Sequence, residues 1–472
     1  MSLDLPPDLM RRLGYQVTDM VVEHLAAVRE QPAFTTLSRH EAERIIGGGP
    51  PETGREADDL FRFLRERVFA NAAREPHPGF MAYVPSCPTF PAILGDWLAA
   101  GYNCFGGAWA VAAGPAMLEL TVLDWFRGWL GLPAGAGGLL TSGGSAANVT
   151  ATVAARHAAV GEEHQRLTRL VVYTSDQAHS SVVRAAWIAG IPREHVRLIG
   201  TDDEFRMNAG ALRQAVAADR AAGLLPFMVV ANAGSTNTGA VDPLPAIADL
   251  CRAEDLWFHV DAAYGGFAVL TDRGRAALHG IERADSITLD PHKWLFMPFE
   301  CGCLLVREPA RLKQAFQIFP EYLKDVEARG EAVNFADLGE QLSRYTRAIK
   351  VWLGVSYFGV GPIRSAIDTG MNLALRAEER VRATPGLELL SPARLGVVCF
   401  RARPGGMDDS ARLDALNERI NAGISAGGRY FISSTRLRGA YALRMCVLGF
   451  RTTEADVTGV VDEAARQAGL VS

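Results

Sequence analysis

Apolar residues near the start of the chain recur at helical spacing: Leu9, Leu13, Val17, Met20, Val21, Leu25 and Val28, then Leu60, Leu64 and Val68 with Phe61 and Phe69 beside them. Gly48-Gly49-Pro50-Pro51 separates the two series, so the pattern predicts a helical N-terminal arm over residues 1–88. From residue 89 to 360 the pattern changes to short apolar runs divided by helical segments. The runs are Leu170 to Tyr173, Val196 to Ile199, Phe227 to Ala231, Trp257 to Val260, Ser286 to Leu289 and Cys303 to Val306. Continuous apolar character suits strands covered on both faces, and the alternation with helices predicts a doubly wound, mostly parallel α/β sheet. Beyond Gly361 a helix leads into Gly396 to Phe400. A hairpin follows, Tyr430 to Thr435 and Ala440 to Val447 turning near Arg438-Gly439, and then a last helix from Thr453. Residues 361–472 are therefore expected to form a small α+β domain.

Composition narrows the setting. With 472 residues, 49% of them hydrophobic, the chain can build a large core with smaller terminal parts. A net charge of −5, from 48 basic and 53 acidic residues without a basic tract, disfavours nucleic acid or an anionic membrane as partner. No apolar stretch is long enough to span a bilayer, and Met1-Ser2-Leu3-Asp4-Leu5-Pro6-Pro7 lacks the basic-then-apolar pattern of a signal peptide, so a cytoplasmic location is expected. The seven cysteines are scattered, and Cys301-Gly302-Cys303 has strand spacing; reduced thiols are expected, with neither disulfides nor a metal site. The apolar faces of the N-terminal arm call for a covering surface, which a second copy of the chain would supply.

Candidate chemistry gathers at junctions between strands and helices. Lys293 lies in Asp290-Pro291-His292-Lys293-Trp294, and Asp261 closes the apolar segment that starts at Leu256. A lysine there can bond an aldehyde cofactor, and a strand-terminal aspartate can keep a pyridine nitrogen protonated. Taken alone, a lysine is most often a solvated surface residue. Thr141-Ser142-Gly143-Gly144-Ser145 precedes a helix-like run from Ala146 to His157, which would aim backbone N–H groups and a helix dipole at a phosphate. The same residues also suit an ordinary capped turn. The loop matches neither of the common nucleotide-binding glycine patterns. His179, in Ser175-Asp176-Gln177-Ala178-His179-Ser180-Ser181, follows a strand and could stack on a pyridine ring, or be a loop histidine bonded to backbone. The conjunction of phosphate cup, histidine, aspartate and lysine points to pyridoxal 5'-phosphate.

Together with His77-Pro78-Gly79-Phe80-Met81-Ala82-Tyr83-Val84-Pro85-Ser86 and Leu443-Arg444-Met445, the runs SDQAHSS, HVDAAYGG and DPHKW extend this reading nearly end to end. The chain resembles the group II pyridoxal-phosphate decarboxylases of fold type I, most closely the aromatic L-amino-acid (dopa) decarboxylases. The resemblance implies that Lys293 is the Schiff-base lysine, Asp261 the pyridinium partner and His179 the stacking residue. Ser145 and Ala146 would be part of the phosphate cup, with Ala147, Thr236, Ala263 and His292 also facing the cofactor. It implies further an intertwined homodimer with active sites at the subunit interface, and a side-chain pocket lined by Phe80, Tyr83, Pro85, Phe105 and Trp109. Tyr322, in a polar loop, would protonate Cα after carbon dioxide leaves; relatives with phenylalanine there divert to oxidative aldehyde formation. Four positions depart from animal dopa decarboxylases: Gly107 stands for a bulky aromatic, Ala147 and Asn148 for a hydroxyl and a carboxylate residue, and Asp290 for an asparagine. Gly107 could admit an indole, or make room for another side chain filling the same space.

The expected activity is decarboxylation of an L-amino acid of the aromatic class to the amine and carbon dioxide. A group II decarboxylase of glutamate, aspartate or diaminobutyrate, an aldehyde-forming relative, and a cofactor-binding but silent protein are the alternatives.

Overall fold

The computed structural model describes residues 3–318 and 331–470. They divide into two compact units: the larger holds residues 86–378 and 391–399, and the smaller holds the residues up to Pro85 with 379–390 and those from Phe400 onward.

The chain starts with helices Pro7–Ala26, Arg39–Ile46 and Ala57–Phe63 and a short strand β1 (Phe80–Met81). The first follows the apolar spacing of the sequence, yet buries none of its residues, and Met10, Tyr15, Val17 and Val22 stay exposed along it. The second is too short and polar to show in that spacing. A capping box starts it: Ser38 Oγ accepts from Glu41 N–H, and the Ser38 N–H donates to the Glu41 carboxylate at 2.9 Å.

The larger unit is built on β2 (Gly137–Thr141), β3 (Leu170–Ser175), β4 (Val196–Ile199), β5 (Leu225–Asn232), β6 (Trp257–Asp261), β7 (Ser286–Leu289) and β8 (Gly302–Val306). They form one sheet in the order β2-β8-β7-β6-β5-β3-β4. β8 is antiparallel to both of its neighbours, whereas β7, β6, β5, β3 and β4 pair in parallel. All but β8 thus point the same way, and their carboxyl ends share one edge, the edge at which open α/β sheets bind ligands. The doubly wound α/β sheet expected from the apolar runs is present, and the runs given for β4 and β7 match to the residue. β2 was not expected as a strand.

In the smaller unit β1 lies parallel to β11 (Phe431–Leu437), which is followed by β12 (Ala440–Cys446), while β9 (Leu387–Arg394) and β10 (Val397–Ala402) each belong to it only in part. β11 and β12 form the expected hairpin, turning through Arg438 and Gly439, both at positive φ. Phe34 stacks on Phe431 at 4.2 Å between ring centroids, with Phe80 edge-on at 5.4 Å, making the unit's aromatic core. The closing helix Glu454–Gln467 starts at Thr453, as the sequence indicated.

One buried ion pair fixes the strand that leads to the candidate site. Arg344 and Glu119 meet at 2.7 Å with side chains 1% and 4% exposed. Glu119 Oε1 also accepts the Leu140 N–H at 2.8 Å, while Arg344 donates to the Leu140 carbonyl at 2.6 Å and the Gly106 carbonyl at 3.1 Å. The pair therefore clamps both polar groups of one β2 residue. Removing one partner strands the other charge in the interior, which costs about 3–5 kcal/mol. Arg344→Ala should lower the urea midpoint accordingly, and Arg344→Met with Glu119→Leu should recover most of the loss. A midpoint unchanged in Arg344→Ala would rule out this role.

Candidate active site

Five loops bring the candidate residues to the carboxyl edge of the larger sheet. After β2, helix Gly144–Val160 starts at Gly143 with no side-chain cap, leaving its first-turn amides to other partners. Ser145 is exposed there, Ala146 is half-buried and Ala147 is buried. The glycines are required by close packing. A Cβ on Gly144 would lie 3.1 Å from both the Ala263 methyl and Asp290 Oδ2, and one on Gly302 would lie 2.4 Å from Gly143 Cα. The cup is thus in direct contact with the loops after β6 and β7.

His179 caps helix Ser180–Ile188 after β3. Its Nδ1 meets Ser181 Oγ at 2.8 Å and accepts the Ser181 N–H at 3.2 Å, while the ring is solvent-accessible. Thr236 follows β5 and is half-buried. Asp261 ends β6 and is 8% exposed; its Oδ2 accepts from Asn148 Nδ2 at 2.9 Å and its Oδ1 from the Ala263 N–H at 3.2 Å. After β7, Lys293 Nζ sits 2.7 Å from Asp290 Oδ2, and Asp290 is 3% exposed with its second oxygen buried and unpartnered. His292 Nδ1 accepts the Cys301 N–H at 3.2 Å, and burial holds its imidazole below the ordinary histidine range.

The structure thus gathers the cup, His179, Asp261, Ala263, His292 and Lys293 at one edge. Phe105 and Trp109 belong to the same unit, whereas Phe80, Tyr83 and Pro85 belong to the smaller one, with Phe80 buried against Phe431 and Tyr83 exposed at φ 51°. Tyr322 lies outside the described residues. At Gly107 the second of the two sequence options holds: a Cβ there would meet the Phe105 ring at 2.7 Å and the Leu342 carbonyl at 2.6 Å. The space is filled by Phe105.

Sequence reading gave no role to the residues behind Asp261. His259 is two positions before Asp261 on β6, so both point to the same sheet face, and that period was the available signal. His259 Nδ1 meets Ser286 Oγ at 2.7 Å and Nε2 meets Asn148 Oδ1 at 3.0 Å. Burial pushes the His259 imidazole down to about 4, with the nearby Asp261 charge opposing that shift.

A lysine amine, a buried carboxylate, an exposed imidazole face and an uncapped helix start could together hold an aldehyde with a pyridine nitrogen and a phosphate. The pyridoxal-dependent decarboxylase conserved domain matches residues 48–403. The chain belongs to the pyridoxal-dependent decarboxylase family. An aromatic-L-amino-acid decarboxylase of Bacillus atrophaeus is 39% identical over 461 residues, covering 98% of this chain and 95% of that protein. A phenylacetaldehyde synthase of Arabidopsis thaliana is 30% identical over 455 residues, covering 94% and 92%. The crystal structure of Oryza sativa TDC with PLP and tryptamine superposes with a TM-score of 0.95 at 29% identity, covering 99% of both chains. The protein is accordingly a carboxy-lyase of fold type I that uses pyridoxal phosphate.

The buried histidine gives a pH dependence. An unfolded imidazole titrates near 6.5, so on acidification the unfolded chain takes up a proton that folded His259 refuses until about pH 4. Its contribution to stability is whole above that upper value and is lost as pH falls through this window, with a slope of up to about 1.4 kcal/mol per pH unit. Urea midpoints measured from pH 7.5 to 5 should fall less steeply for His259→Gln than for the wild type. Parallel curves would show that His259 titrates alike in the folded and unfolded chain, and would contradict this.

Proposed function

We propose that the enzyme converts an aromatic L-amino acid, of the tryptophan, tyrosine, dopa or phenylalanine class, to its amine and carbon dioxide. The observation that carries this reading is the meeting of Lys293, Asp261, His179 and the Gly143–Ala147 helix start at one sheet edge. The aromatic class is supported by the similarity to the Bacillus enzyme along almost the whole chain.

Bound pyridoxal phosphate supplies an electron sink for the pair left at Cα when carbon dioxide departs. In this proposal Lys293 is the amine that bonds the cofactor aldehyde, and Asp290 balances its charge while it is free. Asp261 keeps the ring-nitrogen proton in place, and His179 lies against the ring face. The first-turn amides of Ser145 and Ala146 take the phosphate, and Ala147, Thr236, Ala263 and His292 close around the cofactor. Phe105 and Trp109 offer aromatic surface to the substrate side chain, and Tyr322 delivers the proton to Cα.

A homodimer with active sites at the subunit interface is part of the proposal, supported by the exposed apolar residues of helix Pro7–Ala26. So is a cytoplasmic setting; among the described residues no helix is long and apolar enough to cross a membrane.

The test is a substrate panel read by carbon dioxide and amine release, with tryptophan, tyrosine, dopa and phenylalanine against glutamate, aspartate and diaminobutyrate. Turnover confined to the aromatic set is expected; a preference for an acidic or diamino substrate would overturn the assignment. On the best substrate, Tyr322→Phe should cut the amine-to-aldehyde ratio by about 100-fold, the scale of a lost general acid, with oxygen consumed and ammonia released. An unchanged amine yield without oxygen uptake would remove Tyr322 from the proton step.

A further inference from the structure

Behind the cofactor-facing edge, a single buried amide joins two groups that no local motif connects. Asn148, 2% exposed on helix Gly144–Val160, uses all four of its hydrogen-bonding positions. Its Nδ2 donates to Asp261 Oδ2 at 2.9 Å and to Ser181 Oγ at 3.0 Å. Its Oδ1 accepts from Thr288 Oγ1 at 2.7 Å and from His259 Nε2 at 3.0 Å. The opposite amide orientation would set an oxygen against the Asp261 carboxylate, so the aspartate dictates which way the amide faces.

That orientation propagates in both directions. Asn148 Oδ1 can only accept, so the His259 proton sits on Nε2 at 3.0 Å, and the Ser286 hydroxyl, which accepts from Trp257 Nε1 at 2.8 Å, turns its hydrogen to His259 Nδ1 at 2.7 Å. On the other side the Ser181 N–H makes His179 Nδ1 an acceptor, so the Ser181 hydroxyl, which accepts from Asn148, turns its own hydrogen to Nδ1 as well. His179 Nδ1 therefore receives two hydrogens and carries none, placing the ring proton on Nε2.

We propose that Asn148 is a positioning residue that orients the Asp261 carboxylate and sets the tautomer of His179 together, through one buried amide. This rests on assigning Asp261 and His179 to the cofactor ring, but the coupling itself is a property of the polypeptide and is measurable without the cofactor. A carboxylate at position 148 keeps the shape and loses both donors. The Ser181 hydroxyl then donates toward position 148, and two carboxylates face one another at Asp261.

The experiment is imidazole 15N NMR of the cofactor-free protein, with His179 assigned by its loss in His179→Asn, alongside kcat and KM of the loaded enzyme. Wild type should show His179 with Nδ1 unprotonated and Nε2 protonated. Asn148→Asp should move the His179 nitrogens away from that pure form and lower kcat by about tenfold or more with KM little changed, the scale on which outer partners of an active group count. Ser181→Ala cuts the histidine branch alone and should perturb His179 in the same way, so the coupling stays testable if Asn148→Asp does not fold. Wild-type His179 signals in Ser181→Ala, or in a folded Asn148→Asp with kcat within twofold, would overturn the proposal and leave Asn148 a packing residue. Turnover retained by Lys293→Ala would instead overturn the functional assignment and leave this coupling standing.

Discussion

Parallel pairing of strands is the constraint from which the rest of this protein follows. A parallel pair cannot be closed by a tight turn, so β2, β3, β4, β5 and β6 each send the chain out at the same edge and bring it back through a crossover, while β7 leaves at that edge and returns as antiparallel β8. The loops after β2, β3, β5, β6 and β7 consequently start beside one another, although their residues are far apart in sequence. Helices Gly144–Val160 and Ser180–Ile188 also begin there, so their positive ends face the same space, and the first has no side-chain cap. A site for an anionic, electron-accepting cofactor arises from topology before any catalytic side chain is added.

Behind that edge lie two buried polar clusters whose members hold one another in place. Arg344 and Glu119 hold β2 by its Leu140 backbone. Asn148, His259, Ser286 and Thr288 form a chain in which each hydroxyl and imidazole has one direction available to it. Such networks cost stability if one member is removed and impose a unique arrangement when complete, which suits groups that must face a cofactor without moving.

Much of this was legible in the sequence where the signal is local. β4 and β7 are short apolar runs ended by Gly200 and Asp290, and Lys293, Asp261 and His179 each sit in a compact motif at a strand end. β2 escaped because Gly137 and Gly138 leave its first half without side chains to form a pattern, and a Cβ on Gly138 would collide with the Leu304 carbonyl of β8 at 1.8 Å. β9 escaped because it is mostly half-buried and contains Pro392. The link from Asn148 to Asp261 spans 113 residues of sequence, and no spacing rule reaches that far. The filling of Gly107 by Phe105 was likewise beyond a one-dimensional reading, since it depends on a ring folding back over two residues.

The central claim is that this sheet edge holds pyridoxal phosphate through Lys293. Borohydride reduction of the loaded enzyme converts the lysine–cofactor linkage into a stable secondary amine, which peptide mass spectrometry can map. A pyridoxyl adduct on Lys293 alone is expected, and less of it when borohydride meets the enzyme during turnover at saturating aromatic substrate. An adduct on another lysine, or a loaded enzyme that borohydride leaves unmodified, would contradict it.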